Sequence, residues 1–309
     1  MTAPVCILGI FVADLAFMAP RLPVMGETLL GKGFRMGPGG KGSNQAVAAG
    51  RAGGDVRFIT RVGADAFADI ARKVWTEAGV GTGSVIIDEE RPTGAAFIFV
   101  STEDGNNAII VEAGAAGALS AKDVEVAREA ITGAKVFVTQ LEQPIPAAEA
   151  GLRIARNAGV ATVFNPAPAA ELTDQFLGLC DYATPNESEA AMLTGVSVET
   201  VDQARTAADA LLKRGCGAAV LTLGERGALY HDGTRSELVP AYPIDRVVDT
   251  TGAGDAFNGA FAVALAEGRD PLDAVRFGCA GASLSVTRHG AASASPERGE
   301  IEALMETHA

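Results

Sequence analysis

Apolar positions along the chain switch between two periods. Short apolar runs at Val5–Ile10, Val56–Arg61, Lys135–Gln140, Ala161–Asn165, Tyr182–Thr184 and Ala218–Leu223 predict buried strands. Between them lie stretches with helical spacing: a glycine turn and small-residue run at 39–53, then Asp65–Ala78, Ala121–Ile131, Pro146–Asn157, Glu187–Leu193 and Val201–Arg214. In the second of these Phe67, Ile70, Val74 and Trp75 fall on one face. Strands alternating with helices of this length predict a parallel sheet covered on both sides. Two places break the rhythm. Ala95–Ser101 and Ala108–Glu112 flank the turn-rich Asp104–Asn107 and predict a hairpin, and Tyr230–Pro240 predicts a shorter one. Arg246–Val248 reads as the end of an extended segment, and three helices, from Ala256 to Gly268, Leu272–Thr287 and Pro296–Glu306, close the chain. No repeat, low-complexity linker or charge run appears. The expected organisation is an α/β body from residues 1–10, 36–92 and 114–309, with 11–35 and 93–113 forming a small sheet that stands off it.

Composition narrows the class. The 309 residues are 48% hydrophobic and 20% charged, enough apolar material for one large core. A formal net charge of −13 argues against nucleic acid or a membrane surface as partner, since both attract a positive field. An anionic substrate must then be held by local amides and a few cations. The four cysteines, Cys6, Cys180, Cys216 and Cys279, lack ligand or disulfide spacing, and only three histidines exist, so a zinc site is not expected and the cytosol is the expected compartment. The apolar N-terminal run lacks a basic flank and is interrupted by Asp14, which favours a buried first strand over a signal peptide.

Candidate chemistry gathers where strands give way to turns, because ligands of open parallel sheets bind beyond the carboxyl ends of the strands. The sharpest stretch is DTTGAGDAFNGA, Asp249–Ala260. Gly252 and Gly254 free the backbone ahead of a helix-forming run, so amides and the positive end of the helix dipole make an anion site there. Asp255 would repel a phosphate unless it acts on it. It is either a helix-start acid, worth about 0.3–1 kcal/mol, or a base beside the phosphate that takes a proton from an attacking hydroxyl. Other candidates on the same rim are Asp14, the Gly39–Asn44 turn, Glu142, Asn186 with Glu189, and Gly224. Asn186 and Glu189 also have capping-box spacing. Gly37-x-Gly39-x-x-Gly42 has the spacing of a dinucleotide fingerprint, yet it follows no first strand directly and leads to no acid about twenty residues on.

Taken together, GGKGSNQAVAAGRAG at 39–53, DTTGAGDAFNGA at 249–260, TPNESE at 184–189, QLEQP at 140–144, NPAPA at 165–169 and LTLGERG at 221–227 resemble, in order, segments of the PfkB family of carbohydrate kinases, in its ribokinase branch. The resemblance runs nearly end to end. It implies a ribokinase-like three-layer α/β sandwich, Rossmann-like in its mostly parallel central sheet, with a small β lid that in this branch also pairs two subunits into a homodimer. It implies an ATP-dependent sugar kinase acting on a primary hydroxyl, with ribose the first expectation and another sugar or a nucleoside the alternative. A dehydrogenase using Gly37, Gly39 and Gly42 is the alternative from another class.

The family's roles fall on particular residues. Asp255 matches the base, and Gly252, Ala253 and Gly254 match the anion hole. Val12, Asp14, Gly40, Lys41, Gly42, Ser43, Asn44 and Glu142 match sugar-binding positions. Asn186, Thr222, Gly224, Gly227, Gly254 and Cys279 match nucleotide-binding positions, and Glu189 matches the residue that organises Mg²⁺. Asp249, Thr251, Ser285, Arg288 and Gly290 match a site for a monovalent cation, K⁺. Two positions depart from the pattern: Val12 stands where an asparagine is usual, and Ala294 where a serine is usual.

Overall fold

Alternate residues of the first strand, β1 (Pro4–Leu8), enter different cores: Val5 and Ile7 face one, Cys6 and Leu8 the other. This is the period-2 signature of a strand buried on both faces. The computed structural model describes residues 4–308. After β1 come β2 (Val12–Ala19), β3 (Gly33–Gly39), α1 (Lys41–Arg51), β4 (Asp55–Gly63), α2 (Ala66–Glu77), β5 (Gly81–Asp88), β6 (Thr93–Ser101) and β7 (Asn107–Gly114). The middle of the chain supplies α3 (Ala121–Val126), α4 (Arg128–Thr132), β8 (Val136–Thr139), α5 (Ile145–Asn157), β9 (Ala161–Phe164), α6 (Asp174–Leu177), β10 (Tyr182–Ala183), α7 (Glu187–Thr194) and α8 (Val201–Lys213). Then follow β11 (Ala218–Thr222), β12 (Ala228–His231), β13 (Ser236–Val239), α9 (Ala253–Ala266), α10 (Pro271–Ser285) and α11 (Arg298–Thr307).

Nine strands form the central sheet in the order β13-β12-β11-β10-β9-β8-β1-β4-β5. All neighbours from β11 to β5 are parallel, and the β12–β13 hairpin adds an antiparallel edge. One face carries α1, α2, α9, α10 and α11 over a core with Phe58, Trp75, Phe257, Phe261 and Phe277. The other carries α3 to α8 over Phe137, Phe164, Phe176 and Leu152. The result is a three-layer α/β sandwich, as the resemblance implies.

A second sheet, ordered β3-β2-β6-β7, stands apart. Its pairing places Leu15 opposite Met36 and Phe97, and Phe17 opposite Phe34 and Phe99. Phe17, Phe34, Met36, Phe97 and Ile110 therefore share one face. Asp14, one residue out of register with them, looks the other way.

Several elements differ from the sequence expectation. The helix expected over Ala121–Ile131 breaks at Ala127, which ends α3 and starts α4. Arg246–Val248 is irregular; the amides of Val248 and Asp249 both donate to the carbonyl of Val286, at the end of α10, so no sheet partner is needed. Gly37 and Gly39 lie inside β3 of the second sheet, not in a turn after a central strand, which removes the structural basis of a dinucleotide fingerprint. Among the described residues no helix is long and apolar enough to cross a membrane, and the four cysteines are buried and unpaired.

Candidate active site

Two helix starts meet at the site because small residues let α1 and α9 come close. A methyl group added at Gly259 would lie 2.6 Å from Cβ of Ala48, so the two helices touch backbone to backbone. One turn toward each N-terminus from that contact stand Asn44 and Gln45 on α1 and Asp255 on α9. Asp255 is buried, and its carboxylate accepts hydrogen bonds from Nδ2 of Asn44 (3.1 Å) and Nε2 of Gln45 (3.0 Å). Burial pushes its carboxyl above the usual carboxylate range, while Lys41 and those two amides pull it back.

The turn before α9 leaves donors bare. Gly252 caps the helix with φ of 77° and no side chain, and Ala291 packs against it so closely that an added methyl would come within 2.6 Å. The Ala253 amide donates to the carbonyl of Thr250 (3.3 Å); those of Gly252, Gly254 and Asp255 find no acceptor among the described residues. An uncapped helix N-terminus beside a buried carboxylate is an anion-binding feature with a base in reach.

A cleft of about 150 Å³ opens in front of it, lined among others by Lys41, Asn186, Glu189, Thr222, Gly252, Ala253, Gly254 and Asp255. Burial alone would lower the pKa of Lys41, but the carboxylates of Asp255, Glu142 and Glu189 outweigh it and hold the ammonium charged. It is the cation that an acidic chain needs to accept an anion. Glu142 accepts the backbone amide of Lys41 at 2.6 Å. Asp14 lies near Asp255; burial, then repulsion from Asp255, pushes its carboxyl up to about 6. Asn186 and Glu189 form a reciprocal cap on α7: one Glu189 carboxylate oxygen accepts the Asn186 amide (2.9 Å) and the other is unengaged, while Oδ1 of Asn186 accepts the Glu189 amide (2.8 Å). Burial, again the leading cause, raises Glu189 as well.

The model for the pfkB family carbohydrate kinases matches residues 2–298. The chain belongs to that family. It is 37% identical to a ribokinase of Haemophilus influenzae over 99% of both chains. It is 36% identical to a deoxyribokinase of Salmonella typhi over 94% of this chain and 95% of the other. Among solved structures, Arabidopsis thaliana ribokinase complexed with ribose and ATP superposes with a TM-score of 0.92 at 30% identity, covering 99% of both chains. The chain is therefore a carbohydrate kinase, and the dehydrogenase alternative is set aside.

Not every residue singled out from the sequence faces the cleft. Ser43 is buried, and its hydroxyl accepts the indole N–H of Trp75 at 2.9 Å, so it is committed to the core. Cys279 lies on the buried face of α10, where burial pushes its thiol up to about 12; it does not line the cleft. Val12 is 3% exposed and packs with the second core. Gly40 starts α1 with φ of 85° against the carbonyl of Ile10, and Gly42 packs on Gly9. Gly224 opens the single turn after β11, and Gly227 faces the backbone of Val239–Ala241. Asp249 ties two loops, accepting the amides of Thr251 (2.9 Å) and Gly290 (3.0 Å). The Ser285 hydroxyl donates to the carbonyl of Ala282 and its own carbonyl accepts the Arg288 amide (3.2 Å), while the Arg288 side chain pairs with Glu300. Among the described residues no group of three or more His, Cys, Asp or Glu is arranged to hold a metal by itself.

The cleft also contains residues that the motifs did not single out: Asn165, Ala167, Thr184, Thr250 and Asn258. All but Asn165 and Ala167 sit within three residues of a named candidate, and those two open the NPAPA segment, so the signal was present at segment level only.

Proposed function

We propose that the protein phosphorylates the primary hydroxyl of ribose with ATP. The observation that carries this reading is Asp255: a buried carboxylate, fixed by two amides, at the bare N-terminus of α9 and facing a charged lysine. Asp255 takes the proton of the attacking hydroxyl, and the amides at Gly252–Gly254 with Lys41 receive the charge that develops on the transferring phosphoryl group. Asp14, Asn44 and Glu142, with the Gly40–Gly42 backbone, bind the sugar. Carboxylates and an amide suit a polyol, whose hydroxyls both donate and accept. Asn186, Thr222, Gly224 and Gly227 bind the nucleotide. The solved ribokinase with ribose and ATP supports this assignment of substrates.

Mg²⁺ would neutralise nucleotide phosphate charge. Glu189, with one unengaged oxygen at the cleft, suits binding through water, and the nucleotide's phosphates supply the remaining oxygens. Asp249 and the carbonyls of Thr251, Ser285, Arg288 and Gly290 offer only hard oxygen donors, which suit K⁺. The second sheet would cover the sugar with its Asp14 face. Its opposite face exposes Phe17, Phe34, Met36 and Ile110, which supports a homodimer formed through it.

Val12 favours a second reading. A buried valine offers no hydrogen bond where the branch places an asparagine, which suits a sugar lacking one hydroxyl, and a deoxyribokinase is among the relatives. A coupled assay of ADP release over ribose, 2-deoxyribose, fructose and adenosine decides: ribose with the highest kcat/KM supports the first reading, 2-deoxyribose the second, and turnover of neither sugar overturns both.

A further inference from the structure

Asp255 does not stand alone in the core. A carboxylate can only accept hydrogen bonds, so Gln45 must present its NH₂ group, and Nε2 reaches both Oδ1 of Asp255 (3.0 Å) and Oδ1 of Asn165 (3.1 Å). The oxygen of Gln45 then points away and accepts Nε2 of Gln140. From Asn165 the chain of bonds continues with the same polarity. Its Nδ2 donates to the carbonyl of Thr184 (3.0 Å), the Thr184 hydroxyl donates to Oδ1 of Asn258 (2.6 Å), and Nδ2 of Asn258 donates to the carbonyl of Gly254 (2.8 Å). Gln45, Gln140, Asn165, Thr184 and Asn258 are all buried. Charge on one carboxylate thus fixes the orientation of Gln45 and, through it, of Asn165, while the Gly254 carbonyl fixes that of Asn258, and Thr184 joins the two through its carbonyl and its hydroxyl.

We infer that Gln45 is a positioning residue for phosphoryl transfer: it sets the Asp255 carboxylate and, through Asn165, Thr184 and Asn258, locks that carboxylate to the Gly254 turn. Gln45 is fully buried and does not line the cleft, so it acts through Asp255 and not by touching substrate. The inference rests on Asp255 being the base. The other charged groups facing that carboxylate are Lys41 at the start of α1, Asp14 on β2, Glu142 after β8 and Glu189 on α7. None of them bonds to Gln45.

The test is a double-mutant cycle on the full chain with Gln45→Met, which keeps length and removes the donor, and Asp255→Asn. Asp255→Asn alone should lower kcat about 10²–10⁴-fold; near-normal turnover there sinks the base reading, and this inference with it. In the wild-type background Gln45→Met should lower kcat about 10–100-fold, leave both KM values within about twofold, and move the acid limb of the kcat profile to higher pH, because a carboxylate that loses a donor holds its proton more tightly. In the Asp255→Asn background its cost should shrink to about twofold or less. Equal losses in both backgrounds, an unchanged kcat, or an effect on KM alone would overturn the positioning role while leaving the base intact. Should Gln45→Met not fold, Gln140→Met serves: it keeps the Gln45 donor and removes only the bond that anchors the Gln45 oxygen. A loss of about three- to tenfold in kcat with the same pH displacement supports the inference, and wild-type kinetics overturn it.

Discussion

Glu142 accepts the backbone amide of Lys41 at 2.6 Å across 101 residues of sequence, tying the turn after β8 to the first residue of α1. The bond is made at a cost, because burial, reinforced by Asp255 and Asp14 and opposed by Lys41, pushes the Glu142 carboxyl from 4.5 up to about 7.

A raised carboxylate has a definite sign in stability. Between pH 4.5 and about 7 the folded protein retains a proton on Glu142 that the unfolded chain has lost. Its contribution is therefore fully present below the lower value and is lost as pH rises to the upper one. Glu142→Gln keeps an acceptor for the Lys41 amide and removes the titration. Its thermal midpoint relative to wild type, without ligands, should be more favourable at about pH 8 than at about pH 5. Equal differences at the two values would show an unperturbed carboxyl.

Ser43 offers a contrast, since its sequence neighbours are proposed to bind the sugar while it supports Trp75. Ser43→Ala leaves a buried indole N–H without an acceptor and should destabilise the fold by about 1–3 kcal/mol. KM for the sugar should stay within about twofold. Denaturant titration and steady-state kinetics on the same preparation separate the two, and a raised KM at unchanged stability would return Ser43 to the sugar site.

At Val12 an added amide would supply the hydrogen bond that a buried valine cannot. Val12→Asn should raise kcat/KM for ribose about tenfold or more, about 1.4 kcal/mol, with no gain for 2-deoxyribose. If wild type already strongly prefers ribose and the variant gains nothing, Val12 does not face the substrate.

Asp249 joins the Thr251 and Gly290 amides and so supports the turn that carries the bare N–H groups. A K⁺ ion bound there should raise the rate over that in Na⁺, with the difference abolished in Asp249→Ala. Identical rates in the two salts would remove the cation from the mechanism.

Much of the fold was legible because strands buried on both faces and helices packed on one leave different periods in the sequence, as β1 and α2 show. What escaped lacked a local signal. β5 begins Gly-Thr-Gly and is exposed over its first three residues, so it carries no apolar alternation there. The break at Ala127 has neither glycine nor proline to mark it. The segment before Asp249 satisfies its amides on Val286, at a helix end that no periodicity connects to it. Asp255, the proposed base, and the glycine turns announced themselves by residue type. Gln45 did not: on an alanine-rich helix it is one more polar residue until Asn165 and Asp255, 120 and 210 positions away, are brought beside it.

The contact of Ala48 with Gly259 has a consequence for the order in which the molecule is made. It joins the segment 249–260 to the segment 39–53 across most of the chain, as does the Asn44–Asp255 bond, which spans 211 positions. Contacts of such separation carry the largest loop-closure cost and slow folding. A nascent chain contains the residues of α1 long before those of α9 are made, so it has neither Asp255 nor the bare helix end to place beside Asn44. Catalytic competence thus requires these long-range contacts, and recovery of phosphoryl transfer after denaturation reports the complete tertiary structure where helix content reports only its parts.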